Sequence, residues 1–523
     1  QSNHFEIIKG MELMDQIYEH LEKYYVDDIK AGNLSKVAID AMLKELDPYT
    51  VYYHESNIED YRLLTTGQYG GIGALIHKNG DFVYIAEPYQ GNPAEKSGLK
   101  AGDKILEIDG NSMKDKSSSD VSSALKGPKG TVVKVKVERA DNVVKTIDVN
   151  RDEIKLPDVP YSGLLDNNVG YIKLNGFTQT ASADVKKAFT ELKTEGMTSL
   201  VLDLRGNGGG LLIEAVHIVN MFVKRGQIVV STIGRVEDEN REYKTTEEPM
   251  DLNIPIVVLM DGGSASASEI VAGSLQDLDR AVIIGTTSYG KGLVQRTYDL
   301  DYGSKVKLTI AKYYTPSGRC VQRLEYYDRE DGERPKEIAD SMITIFKTKN
   351  GRDVIDGRGV EPDIEVDLDD FSRLTATVYS NNFVFDYATD YYYAHPSIDS
   401  ANRFKLTDTE YNDFKAYVLK QDFSYSTASE EMLKKMKEAA EEEGFYENAS
   451  VEYDALLQKV VPSKERDLEK FKPELKELLE NEIVSRYYFQ RGRAEQAFNG
   501  DEYMVEVFKI FQNLKEYNTI LGK

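Results

Sequence analysis

Three serines at alternate positions, Ser264, Ser266 and Ser268, follow Gly262-Gly263 and precede a helix-forming run from Glu269 to Leu275. Upstream, Ile254 to Met260 reads as a buried strand, Pro255 apart. A serine at such a strand-to-helix turn can present its hydroxyl beside the free N–H groups of the helix start, where an oxyanion would be stabilised. Lys291 stands between Gly290 and Gly292, so that it can approach other backbone closely. Gln295 follows four residues on, a spacing that returns to one side in a strand or a helix. A serine hydroxyl attacks poorly until a base takes its proton, and lysine is that base only when desolvation lowers its pKa. The chemistry suggested is Ser–Lys hydrolysis. Taken alone, the same residues also suit a capping turn and a surface lysine.

A chain of 523 residues, 41% hydrophobic, has room for three or four domains with real cores. The net charge of −24 argues against nucleic acid and against an anionic membrane surface as partners. One cysteine, Cys320, forbids an internal disulfide, and six scattered histidines form no zinc pattern, so neither a metal nor another cofactor is expected. No apolar run approaches the ~20 residues of a membrane span. The first residue is Gln1 rather than Met, from which removal of an N-terminal signal segment is expected.

The elements that must hold these residues read as four regions. Residues 1–66 form a helical segment, with apolar positions at threes and fours over Ile7–Tyr25 and Leu34–Leu46. The second helix stops at Asp47-Pro48, Tyr49–Tyr53 follows as a short extended piece, and the segment reads as a packing or dimerisation element. Residues 67–152 alternate as short strands, with a hairpin signal at Asp109-Gly110 and a helix near Val121–Leu125. The run Gly98-Leu99-Lys100-Ala101-Gly102-Asp103, followed by Ile105 and Ile108-Asp109-Gly110, resembles a PDZ domain. That resemblance implies that Gly70, Gly71, Ile72, Gly73 and Ala74 form the loop that holds a peptide's terminal carboxylate. Leu75 and Ile76 would then start the strand to which the peptide adds.

Residues 153–370 read as an α/β core. Gly170–Leu174 and Ser199–Arg205 are strands, Ala183–Leu192 and Leu212–Val223 helices, and Ser304–Ile310 a further strand. The loop Gly206-Asn207-Gly208-Gly209-Gly210 has no P-loop lysine, and its N–H groups suit an oxyanion better than a phosphate. Beyond residue 370, helices over Asp408–Lys420, Ser429–Glu443, Val451–Val461, Leu468–Gln490 and Glu502–Tyr517 make a C-terminal helical domain, 371–523. In the last helix Met504, Phe508, Phe511 and Leu514 mark a packing face.

Six stretches follow one another in the order of the carboxyl-terminal processing, or tail-specific, proteases, which the chain resembles over about residues 10–370. They are Asp47-Pro48-Tyr49-Thr50, the PDZ segment, Asp203 to Gly210, Gly263 to Glu269, Gly290 to Gln295, and Tyr313 to Gly318. The resemblance implies a multidomain α/β chain with a crotonase/ClpP-like core carrying an inserted PDZ domain. It makes Ser266 the nucleophile, Lys291 the general base and Gln295 the residue that orients its amine. The Ala267 N–H, with one from Gly209 or Gly210, would form the oxyanion hole. The commoner family form has His and Ser where Tyr49 and Thr50 stand, a departure to which no catalytic weight attaches.

Substrates would be proteins or peptides with accessible, apolar, unstructured C-termini, and the PDZ domain would bind the tail or gate the site. The family's usual compartment is the bacterial periplasm or cell envelope, and a homo-oligomer is left open. Ser264 and Ser268 suit turn or capping roles, Glu269 the positive end of the next helix. His217, in an apolar helix, reads as a core histidine, and Cys320 has no histidine beside it in sequence. Two rival readings are a PDZ-bearing scaffold on an inactive core and a crotonase-like acyl-CoA enzyme. The latter would need neither the PDZ segment nor a Ser–Lys pair.

Overall fold

In a computed structural model, residues 3–55, 58–327, 334–366, 371–498 and 500–523 are described. Six strands, Tyr161–Leu165, Val169–Lys173, Ser199–Asp203, Ile256–Met260, Val282–Gly285 and Ile364–Glu365, lie side by side in chain order. The first pairs antiparallel and the rest are parallel. Strands buried on both faces read as continuous apolar runs, and this is the pattern of Ser199–Asp203 and Ile256–Met260. Leu200, Leu202, Ile256 and Val258 pack towards the helices Ala181–Thr194, Leu212–Asn220 and Ala267–Asp277. Val201, Val257, Leu259 and Ile284 point the other way, onto Tyr503, Met504, Val507, Ile510 and Tyr517.

The last two helices, Glu502–Gln512 and Leu514–Ile520, are thus the second layer against this six-stranded sheet. The expected single helix over 502–517 breaks at Asn513, and Leu514, expected on the packing face, is exposed. A second sheet joins Val51–Tyr53, Lys305–Tyr314, Ile228–Gly234 and Arg241–Lys244, with Leu293–Asp299 also paired to Lys305–Tyr314. The piece after Pro48 is therefore a strand of the core.

The PDZ segment forms a sheet in the order Ala74–Asn79, Phe82–Pro88, Lys104–Ile108, Val132–Glu138 and Val144–Asn150, so that Ala74–Asn79 is an edge strand. Asp109 and Gly110 have φ of 50° and 80°, as a tight hairpin requires. Strand Gln68–Gly71 pairs with Asp152–Lys155 where the domain joins the core.

Helices Arg373–Ser380, Phe383–Ala394, Asp408–Leu419, Lys464–Lys470 and Lys472–Ala497 enclose a separate apolar core around Tyr411, Phe414, Leu475 and Ile483. Neither of the first two is evident in the sequence: Arg373–Ser380 is only eight residues long, and Phe383–Ala394 is so rich in aromatics that it gives no clean period of 3.6. Phe385 meets His77 of the PDZ edge strand ring to ring at 4.3 Å, and Arg493 lies 3.6 Å from Glu87. A cavity of about 850 Å³ lies at this junction, lined by residues such as Leu75, Glu87, Phe385 and Arg493, away from the serine elbow. At the other end of the chain, helices Asn3–Tyr24 and Ala31–Lys44 bury only Leu43 between them. No helix among the described residues is long and apolar enough to cross a membrane.

Candidate active site

Strand Ile256–Met260 ends in a turn whose two outer serines are buried and whose middle serine is not. Ser264 donates from Oγ to the Leu204 carbonyl at 2.8 Å and accepts from the Asp261 N–H at 3.0 Å. Ser268 donates to the Asn207 carbonyl at 2.8 Å. Both outer serines are structural ties to the neighbouring glycine loop. Ser266 sits between them at φ 56°, ψ −112°, a conformation L-residues avoid, and it immediately precedes helix Ala267–Asp277. The strained turn leaves its side chain partly open to solvent while Ala265 and Ala267 are buried.

Glu269, expected at the helix start, does more than face a dipole. It is fully buried, and its Oε2 accepts the Ser266 N–H at 2.7 Å and the Lys291 N–H at 2.9 Å. Its Oε1 accepts the Gly290 N–H at 2.7 Å and the Ser288 hydroxyl at 2.5 Å. Burial pushes its carboxyl up, against those four hydrogen bonds. One carboxylate therefore joins the serine turn to the lysine segment. The glycines beside Lys291 serve this closeness. A Cβ on Gly290 would lie 2.5 Å from Arg323 Cβ, and one on Gly292 2.8 Å from the Gln322 nitrogen.

Burial, helped by the charge of Lys307, lowers the Lys291 pKa to about 8, while Glu269 and Asp47 pull the other way. Its Nζ lies 4.2 Å from the centroid of the Tyr49 ring and, among the described residues, makes no hydrogen bond or ion pair. Tyr49 is held by an Asp47 carboxylate that accepts the N–H groups of Tyr49 and Thr50 at 2.8 and 2.7 Å. Its hydroxyl stands 3.4 Å from that of Tyr289 and 3.2 Å from that of Tyr326. The departure at Tyr49 thus lies against the lysine, and only the strand that follows it, Val51–Tyr53, could have hinted at this.

Gln295 does not reach the Lys291 amine. Its Nε2 donates to Thr309 Oγ1 at 3.2 Å, because Lys291 precedes the regular strand, which starts at Leu293, so the period of two does not carry from 291 to 295. In the glycine loop, Gly209 has φ 96°, and a Cβ there would lie 2.6 Å from the Ala265 carbonyl and 2.8 Å from Ser266 Cβ. The Gly209 N–H is already donated to Asn207 Oδ1 at 2.9 Å. Among the described residues the N–H groups of Gly210 and Ala267 have no partner, so of the two glycines Gly210 is the one with an uncommitted donor.

His217 is half exposed beside Glu214 rather than in the core, since it falls on the solvent side of its helix. Burial pushes the Cys320 thiol up, away from the thiolate. In the PDZ segment Gly70 and Gly71 belong to the strand at the neck, and Ala74 opens the edge strand. Between them, Ile72 and Gly73 have N–H groups without a partner among the described residues.

Residues 168–326 match the model of peptidase family S41, 63–138 that of the PDZ domain, and 374–511 that of the probable PDZ-protease C-terminal helical domain. A carboxy-terminal-processing protease of Bartonella bacilliformis is 36% identical over 327 residues, 61% of this chain and 74% of that one. The carboxy-terminal processing protease CtpA of Bacillus subtilis is 31% identical over 341 residues, 65% and 72% of the two chains. Among solved structures, a photosystem II D1 C-terminal processing protease is 31% identical over 67% of this chain and 86% of its own, with a TM-score of 0.38. With three quarters of one such relative aligned at this identity, the chain belongs to the carboxy-terminal-processing serine proteases of family S41.

Proposed function

We propose that this protease works through a Ser266–Lys291 dyad and cuts proteins near apolar, unstructured C-terminal tails. The observation that carries the reading is the single oxygen, Glu269 Oε2, that accepts the backbone N–H of both residues. In the reaction, neutral Lys291 swings from the Tyr49 ring to Ser266 Oγ and takes its proton as the oxygen attacks the scissile carbonyl. Loss of the positive charge removes the attraction of the ring for the amine, so deprotonation and release go together. The oxyanion accepts hydrogen bonds from the N–H groups of Ala267 and Gly210, the lysine ammonium protonates the departing amine, and the neutral lysine then activates water to hydrolyse the acyl-enzyme. The test is cleavage of an unstructured protein bearing an apolar or an acidic tail. Ser266→Ala and Lys291→Ala should each lose about 1,000-fold or more in kcat. Equal turnover by all three proteins would sink the dyad, and equal turnover of both tails the specificity.

The unpartnered N–H groups of Ile72 and Gly73, between strand Gln68–Gly71 and edge strand Ala74–Asn79, support capture of the tail's carboxylate there, with the tail adding as a strand. Deleting residues 67–149 should change the cleavage rate of tailed substrates; an unaltered rate would rule out gating. The exposed Met11 and Val37 of the N-terminal helices support packing against a second copy, and Met11→Lys with Val37→Lys should halve the mass seen by light scattering. The periplasm or cell envelope, proposed on the resemblance alone, is tested by fractionating cells.

A further inference from the structure

The glycine loop that faces Ser266 springs from Arg205, and the Arg205 side chain is held by a residue from the far end of the chain. Nε donates to both Asp203 oxygens, at 3.1 and 3.0 Å, and Nη2 to Asp203 Oδ2 at 2.6 Å. From the other side Nη1 and Nη2 form a two-pronged pair with Asp501 Oδ1 and Oδ2, at 3.1 and 2.8 Å. The Tyr503 ring lies 4.6 Å from the guanidinium carbon. All three side chains are largely or wholly buried, and a planar guanidinium fixed by two carboxylates has one orientation.

Below it, the Arg205 carbonyl accepts from Lys173 Nζ at 2.6 Å, and the Gly206 N–H donates to Asp261 Oδ1 at 2.8 Å. Four residues separate this stem from Gly210. Asp501 lies within the stretch matched to the C-terminal helical domain, outside the S41 match, and nothing in the dyad chemistry uses it.

We infer that Asp501 is a positioning residue for the oxyanion loop: through Arg205, the C-terminal helical region completes the active site of the core. The inference rests on the Ser266 reading above. Asp501 also caps helix Glu502–Gln512, accepting the Tyr503 N–H at 3.0 Å, so a substitution must separate capping from the ion pair. Asn and Ser cap about as well as Asp. Asp501→Asn replaces one acceptor by a donor facing the guanidinium, and Asp501→Ser is too short to reach it.

In the full chain, both variants should keep the wild-type Tm within a few degrees and the wild-type KM for a tailed substrate. Both should lose about 10- to 100-fold in kcat, the scale of a misplaced catalytic group. Inhibition by a peptidyl boronic acid, which fills the oxyanion site as a tetrahedral adduct, should weaken by a similar factor. Asp501→Glu, which keeps the charge, should recover part of the loss. Arg205→Gln with Asp501→Asn should be no slower than Arg205→Gln alone. Wild-type kcat and boronate inhibition in Asp501→Asn and Asp501→Ser would overturn the inference, as would losses in the double variant that multiply. If instead Ser266→Ala retains activity, it is the dyad reading that fails.

Discussion

The glycine loop before Ser266 and the lysine segment beside it are both threaded through glycines, yet they are held in opposite ways. Along Arg205–Gly210, side chains and backbone are fixed together. Arg205 sits between two carboxylates, Asn207 Nδ2 donates to the Leu174 carbonyl at 2.7 Å, and the Gly209 N–H is tied to Asn207. Along Gly290–Gly292 only the backbone is fixed, by Glu269 and by Gln322 Oε1, which accepts the Gly292 N–H at 2.8 Å. The Lys291 amine ends on an aromatic face, which has no directional demand. Charge stabilisation benefits from dipoles that need not reorganise, whereas a base must change both its proton and its partner in each cycle. The site is rigid where the charge appears and adjustable where the proton moves.

The rigid half should break most easily. Gly209→Ala places a methyl group against the Ala265 carbonyl and Ser266 Cβ at a positive φ, so the loop must shift as a body. A fall of about 100-fold or more in kcat is expected, with the far-UV spectrum unchanged. A variant within threefold of wild type would mean that the loop is not preorganised. Glu269→Gln touches both halves at once. An amide there turns one acceptor oxygen into a donor facing N–H groups, and an unpaired buried group costs about 1–3 kcal/mol. A Tm lower by several degrees and a kcat reduced roughly tenfold or more should appear together.

How much of this could be read beforehand follows the same division. Alternation marks the PDZ strands, whereas the core strands, buried on both faces, show as short apolar runs closed by glycine loops, as at Ser199–Asp203. Ser266 and Lys291 stand out because glycines, costly inside a helix or strand, precede the one and flank the other. Tyr49 and Asp501 do not. Each acts across a long separation, Tyr49 on a lysine 242 positions away in number and Asp501 on an arginine 296 away, and a carboxylate or ring gives no local sign of its distant partner. Glu269 is legible as a charge at a helix start, but its bonds to Ser288, Gly290 and Lys291 are not. Gln295 is the converse case: the resemblance makes it the partner of the lysine amine, yet it bonds Thr309, and a register shift at Val294/Gln295 breaks the alternation that would return it to the side of Lys291.

The adjustable half should respond more gently, and through pH. With Lys291 at about 8 when folded against an ordinary 10.5, the folded chain binds this proton less well than the unfolded one. The buried ammonium therefore costs stability below about pH 8, and the cost is relieved as pH rises from about 8 towards 10.5. Only the neutral amine can take the serine proton, so kcat/KM should climb about tenfold per unit below an apparent pKa near 8 and level off above it. A limb near the ordinary lysine value would mean that the amine is solvated in the working enzyme.

Tyr49→Leu sharpens the point and gives the smallest effect. The ring favours the charged form by about 0.5–1 kcal/mol, which is about half a pH unit. Leucine keeps the site dry but removes that preference, so the limb should move to lower pH by about half a unit. At pH 7 kcat/KM should then rise about two- to threefold, while the plateau at high pH stays where it was. Tyr49→Phe keeps the ring and loses only the hydroxyl contacts to Tyr289 and Tyr326, so its limb should not move. A plateau that falls in Tyr49→Leu would show that the ring orients the neutral amine as well as holding the charged one, and the lysine segment would then be as constrained as the glycine loop.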